Sequence, residues 1–249
     1  MFATVLVIAL LVGALIGTVG VGGILLIPAL AALCGLPTHA AMGTALFSFI
    51  FTGLLGTWLY QRHGSIDWGI TVPVCLGALA GGYPGALANA AASGRLLDLL
   101  LGAVIIFAGL YALFPATRAL LRFPVAGRGR ILALLALGCS VGFGSGLTGV
   151  GGPVLSVPLM VIFGFAPLTA IATSQVIQIT AAFSGSIGNL AHGFVALDTA
   201  AWVTLAELAG VAVGAWLAHT VSQRALKRLI AVVCIVVGSF ITGRALLGA

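Results

Sequence analysis

Two glycine blocks are the residues in this chain best suited to chemistry. Gly20-Val21-Gly22-Gly23 recurs about 129 positions later as Gly149-Val150-Gly151-Gly152, with Pro28 and Pro158 following at matching distances. Glycine permits a tight turn and leaves backbone N–H groups unshielded by side chains. Each block leads into an apolar segment; in a helix, the first N–H groups lack partners and the N-terminus is electropositive. Two such ends aimed at one point can hold an anion without any Lys or Arg. The competing reading is close packing of helices at glycine. No Lys-Ser/Thr pair follows either block, so a P-loop is excluded, and no strand or soluble βαβ unit supports a dinucleotide fingerprint.

A second group of candidates opens the third apolar segment of each half. These are Thr44, after Ala40-Ala41-Met42-Gly43, and Ser174-Gln175, after Ala170-Ile171-Ala172-Thr173. Hydroxyls in an apolar helix often bond back to their own backbone. Gln175 and Gln178 are harder to leave unpaired in hydrocarbon and point to a cavity or a neighbouring helix, as do Asn89 and Asn189 nearer the edges. Glu207 stands alone inside an apolar run, and its counterpart at the same offset is Ala78. An acid at membrane depth is a functional hypothesis by default, here proton coupling, set against a hydrogen-bonded structural role. His63-Gly64 and His192-Gly193 read as turn and gate elements rather than metal ligands. His39 and His219 are unpaired between the halves and read as interfacial.

These residues must be carried by membrane segments. Apolar residues make up 61% of the 249 positions and charged residues 6%, against about 45–50% and about 25% in soluble domains. The 36 glycines suit closely approaching membrane helices. Each half reads as five segments: 2–18, 22–34, 38–60, 69–91 and 97–115, then 131–147, 152–165, 168–190, 199–220 and 226–247. The second of each set is too short for a hydrocarbon core of ~30 Å. It forms either a hairpin with the first segment or the far side of one helix broken at the glycines. The run from Met1 lacks the positive n-region of a signal peptide and reads as the first membrane segment.

The repeat extends well beyond the glycine blocks. Gly13, Gly17, Gly35, Gly81, Gly85-Ala86, Arg95 and Gly109 match Gly142, Gly146, Gly164, Gly210, Gly214-Ala215, Arg224 and Gly238. With residues 117–130 cytoplasmic, five segments per half put Arg62, Arg118, Arg122, Arg128, Arg130, Arg224, Lys227 and Arg228 inside, and only Arg95 and Arg244 outside. Fusing the first two segments gives a weaker bias, so the positive-inside rule favours five. An odd number inverts the second half. The expected organisation is therefore a first membrane repeat over 1–116, a basic cytoplasmic linker over 117–130 and a second repeat over 131–249. A duplicated membrane chain is the usual build of a secondary transporter, with its substrate held between the halves.

The net charge of +6 lies near loops and helix ends, as orientation signals require, and does not point to nucleic acid. Cys34, Cys75, Cys139 and Cys234 are isolated in apolar segments and read as packing residues. No HExxH or paired intramembrane carboxylate supports an enzyme. A non-transporting membrane subunit is the remaining alternative class.

Gly17-Thr18-Val19-Gly20-Val21-Gly22-Gly23 with Pro28, Gly43-Thr44, Gly81 and Gly85-Ala86, together with their second-half repeats, resemble the sulfite exporter TauE/SafE family of anion transporters. The resemblance covers nearly the whole chain, and the doubled glycine block is its most specific part. It implies a multi-pass protein of the bacterial inner membrane that moves sulfite, sulfonates or related organosulfonates. Gly43 becomes Thr173 in the second half, so the two half-sites are not equivalent. The reading is an all-α polytopic protein of eight to ten membrane segments in two inverted repeats. It exports a small sulfur-containing anion by alternating access, with uptake or a channel-like permease for another anion as the alternative. The anion is expected at Gly20, Val21, Gly22, Gly23, Thr44, Gly149, Val150, Gly151, Gly152, Ser174 and Gln175, with Glu207 for proton coupling. No catalytic residue, metal or cofactor is assigned. The expected partners are the anion and the lipid bilayer, and a homo-oligomer stays open.

Overall fold

The computed structural model describes residues 2–19, 23–114, 127–217 and 223–247. Gly20, Val21, Gly22, His219 and linker positions 117–126 lie outside the described residues. The described residues form ten α-helices: α1 (Phe2–Val19), α2 (Leu26–Cys34), α3 (Thr38–Arg62), α4 (Trp68–Ala91) and α5 (Gly94–Leu113), then α6 (Gly127–Thr148), α7 (Gly152–Ile162), α8 (Pro167–Ala191), α9 (Leu197–Leu217) and α10 (Gln223–Leu247). A short 3-10 turn at Gly23–Leu25 leads into α2. No strand occurs among the described residues. In hydrocarbon, every backbone polar group must be satisfied within its own segment, and helices achieve this.

The helices begin and end where local chemistry requires. The Asp67 carboxylate accepts from Gly69 N at 2.9 Å to cap α4, and Ser93 Oγ accepts from Leu96 N at 3.3 Å to cap α5. Both His-Gly pairs close a helix. The Nδ1 atoms of His63 and His192 meet the Leu59 and Gly188 carbonyls at 2.9 and 2.8 Å. Gly64 and Gly193 then turn the chain at φ of 63° and 70°, a conformation open to glycine and costly for side-chain-bearing residues. The second half starts earlier than its hydrophobicity suggests: Gly127–Arg130 already belong to α6, because arginines at a helix end can lie at the interface without breaking the helix.

Among the described residues, five helices are long and apolar enough to cross a membrane, within Thr38–Arg62, Trp68–Ala91, Gly94–Leu113, Gly127–Thr148 and Leu197–Gly214. Large apolar side chains such as Leu54, Leu76, Leu132, Leu205 and Phe240 face outward, as a lipid-facing surface requires. The chain is a multi-pass membrane protein. The short α7, 11 residues long, extends about 16 Å, roughly half the hydrocarbon core. It folds back on α6: a methyl added at Gly144 would come 2.7 Å from Leu155 Cδ1. The first two segments of the second half thus form a returning hairpin, not one broken helix.

Packing follows the repeat but crosses between the halves. α1 lies along α9, and their counterparts α6 and α4 lie along each other. Gly77, Gly81 and Gly85 of α4 interleave with Gly138, Gly142 and Gly146 of α6, so closely that a methyl at any of them would strike the facing backbone. Gly13 against Glu207, and Gly210 and Gly214 against Leu10 and Ala14, repeat the arrangement between α1 and α9. These glycines are contact surfaces, where absent side chains allow backbone-to-backbone van der Waals packing. Two repeat-equivalent pairs also touch, α3 with α8 and α5 with α10. Both run antiparallel: Gly43 lies beside Asn189 and Gly56 beside Gln175, while Gly102 meets Thr242 and Gly109 meets Ala231.

Candidate functional site

The centre of the bundle is the crossing of α3 and α8, and Phe49 of α3 marks it. Its ring is 1% exposed. A methyl added at Gly23 would lie 2.6 Å from Phe49 Cζ, and one added at Gly151 would lie 3.0 Å from Phe49 Cδ2. One aromatic ring is therefore in contact range of the ends of both glycine blocks. Gly151 sits at the N-terminus of α7 with φ 83° and no side-chain cap, so its φ favours glycine. Gly149, at φ 68°, packs on Met42, and Gly152 packs on the Gln178 backbone. Val150 is buried in the adjoining core.

Gln178 fixes this centre. Its Nε2 donates to the Phe49 carbonyl at 3.0 Å and to Thr52 Oγ1 at 2.9 Å. The sequence marked Gln178 as needing a partner, and this is the partner it has. Phe49 carried no sequence signal: it is one apolar residue in an apolar helix, and its counterpart in the second half is Ile179.

The structure does not bring Thr44 and Ser174 to one point. The antiparallel pairing of α3 and α8 sets them toward opposite ends, roughly 20 Å apart along the axis at ~1.5 Å per residue. Two polar tiers result, one on each side of Phe49. In the first, Thr44 Oγ1 accepts from Ala196 N at 3.0 Å, which leaves its own O–H to donate. His39 Nδ1 meets Asn89 Oδ1 at 3.1 Å, and Asn89 Nδ2 donates to the Leu147 carbonyl at 2.7 Å. The Phe194 ring stacks on His39 with centroids 4.9 Å apart and on His192 at 5.8 Å. Asn189 Oδ1 is buried there with no hydrogen-bond partner among the described residues.

In the second tier, Ser174 Oγ donates back to the Ile171 carbonyl at 2.6 Å. Thr173 and Thr71 share a hydroxyl–hydroxyl bond of 3.0 Å. Gly56 makes room for the Gln175 amide, whose Oε1 a methyl at Gly56 would strike. Gln175 is 1% exposed, and its Nε2 has no hydrogen-bond partner among the described residues. A buried amide donor left unmatched costs about 1–3 kcal/mol. It is the kind of group that a transient oxyanion would satisfy.

Glu207 lies midway along α9 and is fully buried. Gly13 lets α1 come directly against its backbone. The Ser48 hydroxyl approaches its carboxyl group but directs its own hydrogen to the Ala45 carbonyl at 2.8 Å. Neither carboxyl oxygen has a hydrogen-bond partner among the described residues. Ser48 precedes Phe49 on α3, so Glu207 belongs to the level of the crossing. All four cysteines are free thiols, and no cluster of three His, Cys, Asp or Glu occurs among the described residues.

Comparison with known proteins agrees with this architecture. The chain is 27% identical to "Probable membrane transporter protein YdhB" of Bacillus subtilis, over 91% of this chain and 94% of that protein. It is 26% identical to "Probable membrane transporter protein YunE" of the same organism, over 93% and 95%. A "Probable membrane transporter protein" of Xylella fastidiosa is 34% identical over 43% of this chain and 42% of its own length. No solved structure gives a significant match. The family described as "Sulfite exporter TauE/SafE" matches residues 5–241. The chain is a membrane transporter, not an enzyme, and it belongs to the TauE/SafE sulfite exporter family.

Proposed function

We propose that this protein exports a small sulfur-containing oxyanion, such as sulfite or an organosulfonate, across the bacterial inner membrane by alternating access. The observation that carries the reading is the contact of Gly23 and Gly151 with the single ring of Phe49, with a polar tier to either side. An anion would be held at the N-terminal N–H groups behind the glycine turns, with Gln175 Nε2 and Thr44 Oγ1 as donors on opposite sides of the crossing. Gly20, Val21 and Gly22 are assigned to the same anion site by their match to Gly149, Val150 and Gly151. A backbone-lined site of this kind suits an oxyanion, because its donors carry no full charge and release the ligand readily.

Direction follows from electrostatics. An inside-negative potential drives each negative charge outward by about 2.3 kcal/mol per 100 mV. The antiparallel crossing of the equivalent helices α3 and α8 supports two access routes of opposite sense. The moving bodies are mixed pairs, α1 with α9 and α4 with α6, and the basic stretch 117–130, whose last four residues open α6, marks the cytoplasmic side. Reconstitution in liposomes tests the reading, with sulfite, sulfoacetate, thiosulfate and nitrate offered in parallel. Saturable flux of a sulfur oxyanion is expected. Absence of flux for every anion would overturn it, and a non-saturable flux would replace the carrier with a pore.

A further inference from the structure

The buried carboxyl of Glu207 is not needed to bind an anion, and an ionised acid at this level would repel one. It stands at the level of Phe49, because Ser48 approaches it from α3 and Phe49 is the next residue. Its oxygens have no hydrogen-bond partner among the described residues. The helices packed against α9 are α1 and α3. α1 contains no titratable residue. On α3, His39 is directed to Asn89 at one end, while Tyr60 and Arg62 sit at the other, where the guanidinium stacks on Trp58 at 3.8 Å. On α9 itself, Asp198 belongs to the first turn. No cation therefore faces Glu207 among the described residues of these helices. An uncompensated carboxylate in such surroundings costs several kcal/mol, so the group requires a positive partner.

We infer that Glu207 is a proton-binding site that admits the anion only in its neutral form, so that a proton travels with the anion. This rests on the anion-transport reading above. A proton needs one acceptor oxygen. A metal cation needs a full oxygen shell, and the side-chain oxygens assigned to this position among the described residues are the two of Glu207, Ser48 Oγ, and Thr204 Oγ1, which is buried and unpartnered on the same face of α9. Hard cations take about six or more. The counterpart of Glu207 is Ala78, so the site occurs in one half only. The proton comes from water on the loading face and returns to water on the releasing face. With a dianion such as sulfite, one negative charge still moves per cycle, and the inside-negative potential still favours exit.

The test uses the full-length protein in liposomes loaded with a pH dye, with labelled flux measured in parallel for sulfoacetate, a dianion that, unlike sulfite, takes up no proton of its own near neutral pH. Proton movement locked to sulfoacetate movement is expected, and an imposed pH gradient should drive sulfoacetate against its concentration gradient. Glu207→Gln should lose the sulfoacetate-linked proton movement, and its flux should no longer depend on pH. Glu207→Ala, which restores the residue of the other half, should behave alike; size-exclusion profiles check that both variants fold. Sulfoacetate flux without accompanying protons in the wild type would overturn the inference and leave the transport reading standing. So would a sodium gradient that drives flux at fixed pH. Absence of all anion flux would overturn both.

Discussion

Gln178 Nε2 lies 3.0 Å from the Phe49 carbonyl oxygen, which ties α8 to α3 at the level where Gly23 and Gly151 meet the Phe49 ring. The same nitrogen reaches Thr52 Oγ1 at 2.9 Å, so one amide holds two successive turns of α3. Gln178→Leu removes both bonds and leaves the Thr52 hydroxyl without that donor. Interhelical hydrogen bonds in membranes are worth about 0.6–2 kcal/mol. The expected result is a loss of about 1–2 kcal/mol, read as a lower unfolding midpoint in detergent, together with reduced flux.

Phe49 separates the two tiers. Phe49→Ala removes the ring beside both Gly23 and Gly151, and the expected outcome is a leak: anion flux that no longer saturates, with measurable current across a planar bilayer. Retention of saturable flux at wild-type rate would remove Phe49 from the gate.

The glycine turns and the glycine stripes should respond differently to one added methyl. At Gly151, φ is 83° and an added methyl would lie 3.0 Å from Phe49 Cδ2, so Gly151→Ala is strained by about 1–2 kcal/mol and should abolish flux in protein that still inserts and purifies. At Gly81, a methyl strikes the Cys139 carbonyl, and Gly81→Ala should instead lower the yield of folded protein. Gly129→Ala meets nothing within 4 Å and serves as the neutral control. Yield, size-exclusion profile and flux separate the three outcomes.

Gln175 and Thr44 stand on opposite sides of Phe49, so their loss should be felt from opposite faces. Gln175→Leu is expected to raise the half-saturating anion concentration on the face nearer Arg62, and Thr44→Val on the other face. Flux from each side of oriented vesicles reads this. Equal effects from both sides would place the two residues in one compartment.

Much of the fold was legible because hydrophobic runs in this chain are punctuated by Pro37, Pro167 and the His-Gly pairs, which the structure turns into helix ends. The start of α6 was less visible, because Arg128 and Arg130 look like linker although their backbone is already helical. Similar spacing cannot say what a glycine is for. Gly81 and Gly151 both recur, yet one faces a helix and the other makes a turn, and only the partner decides. Thr44 and Ser174 looked like halves of one site because the repeat equates them. Inversion carries any residue away from the midplane to the opposite leaflet, so only groups near the axis, such as Phe49 and Gln178, can meet.

The exchange of α1 and α6 across the molecule bears on how such a chain is made and inherited. A fragment ending after α5 would present the bare backbone grooves of α1 and α4 to lipid, since α9 and α6 are the helices that fill them. Such a fragment could become watertight only by pairing with an upside-down copy of itself, each lending the other its first helix. Synthesis must therefore reach α9 before α1 meets the helix that fills its groove, so the bundle is completed late.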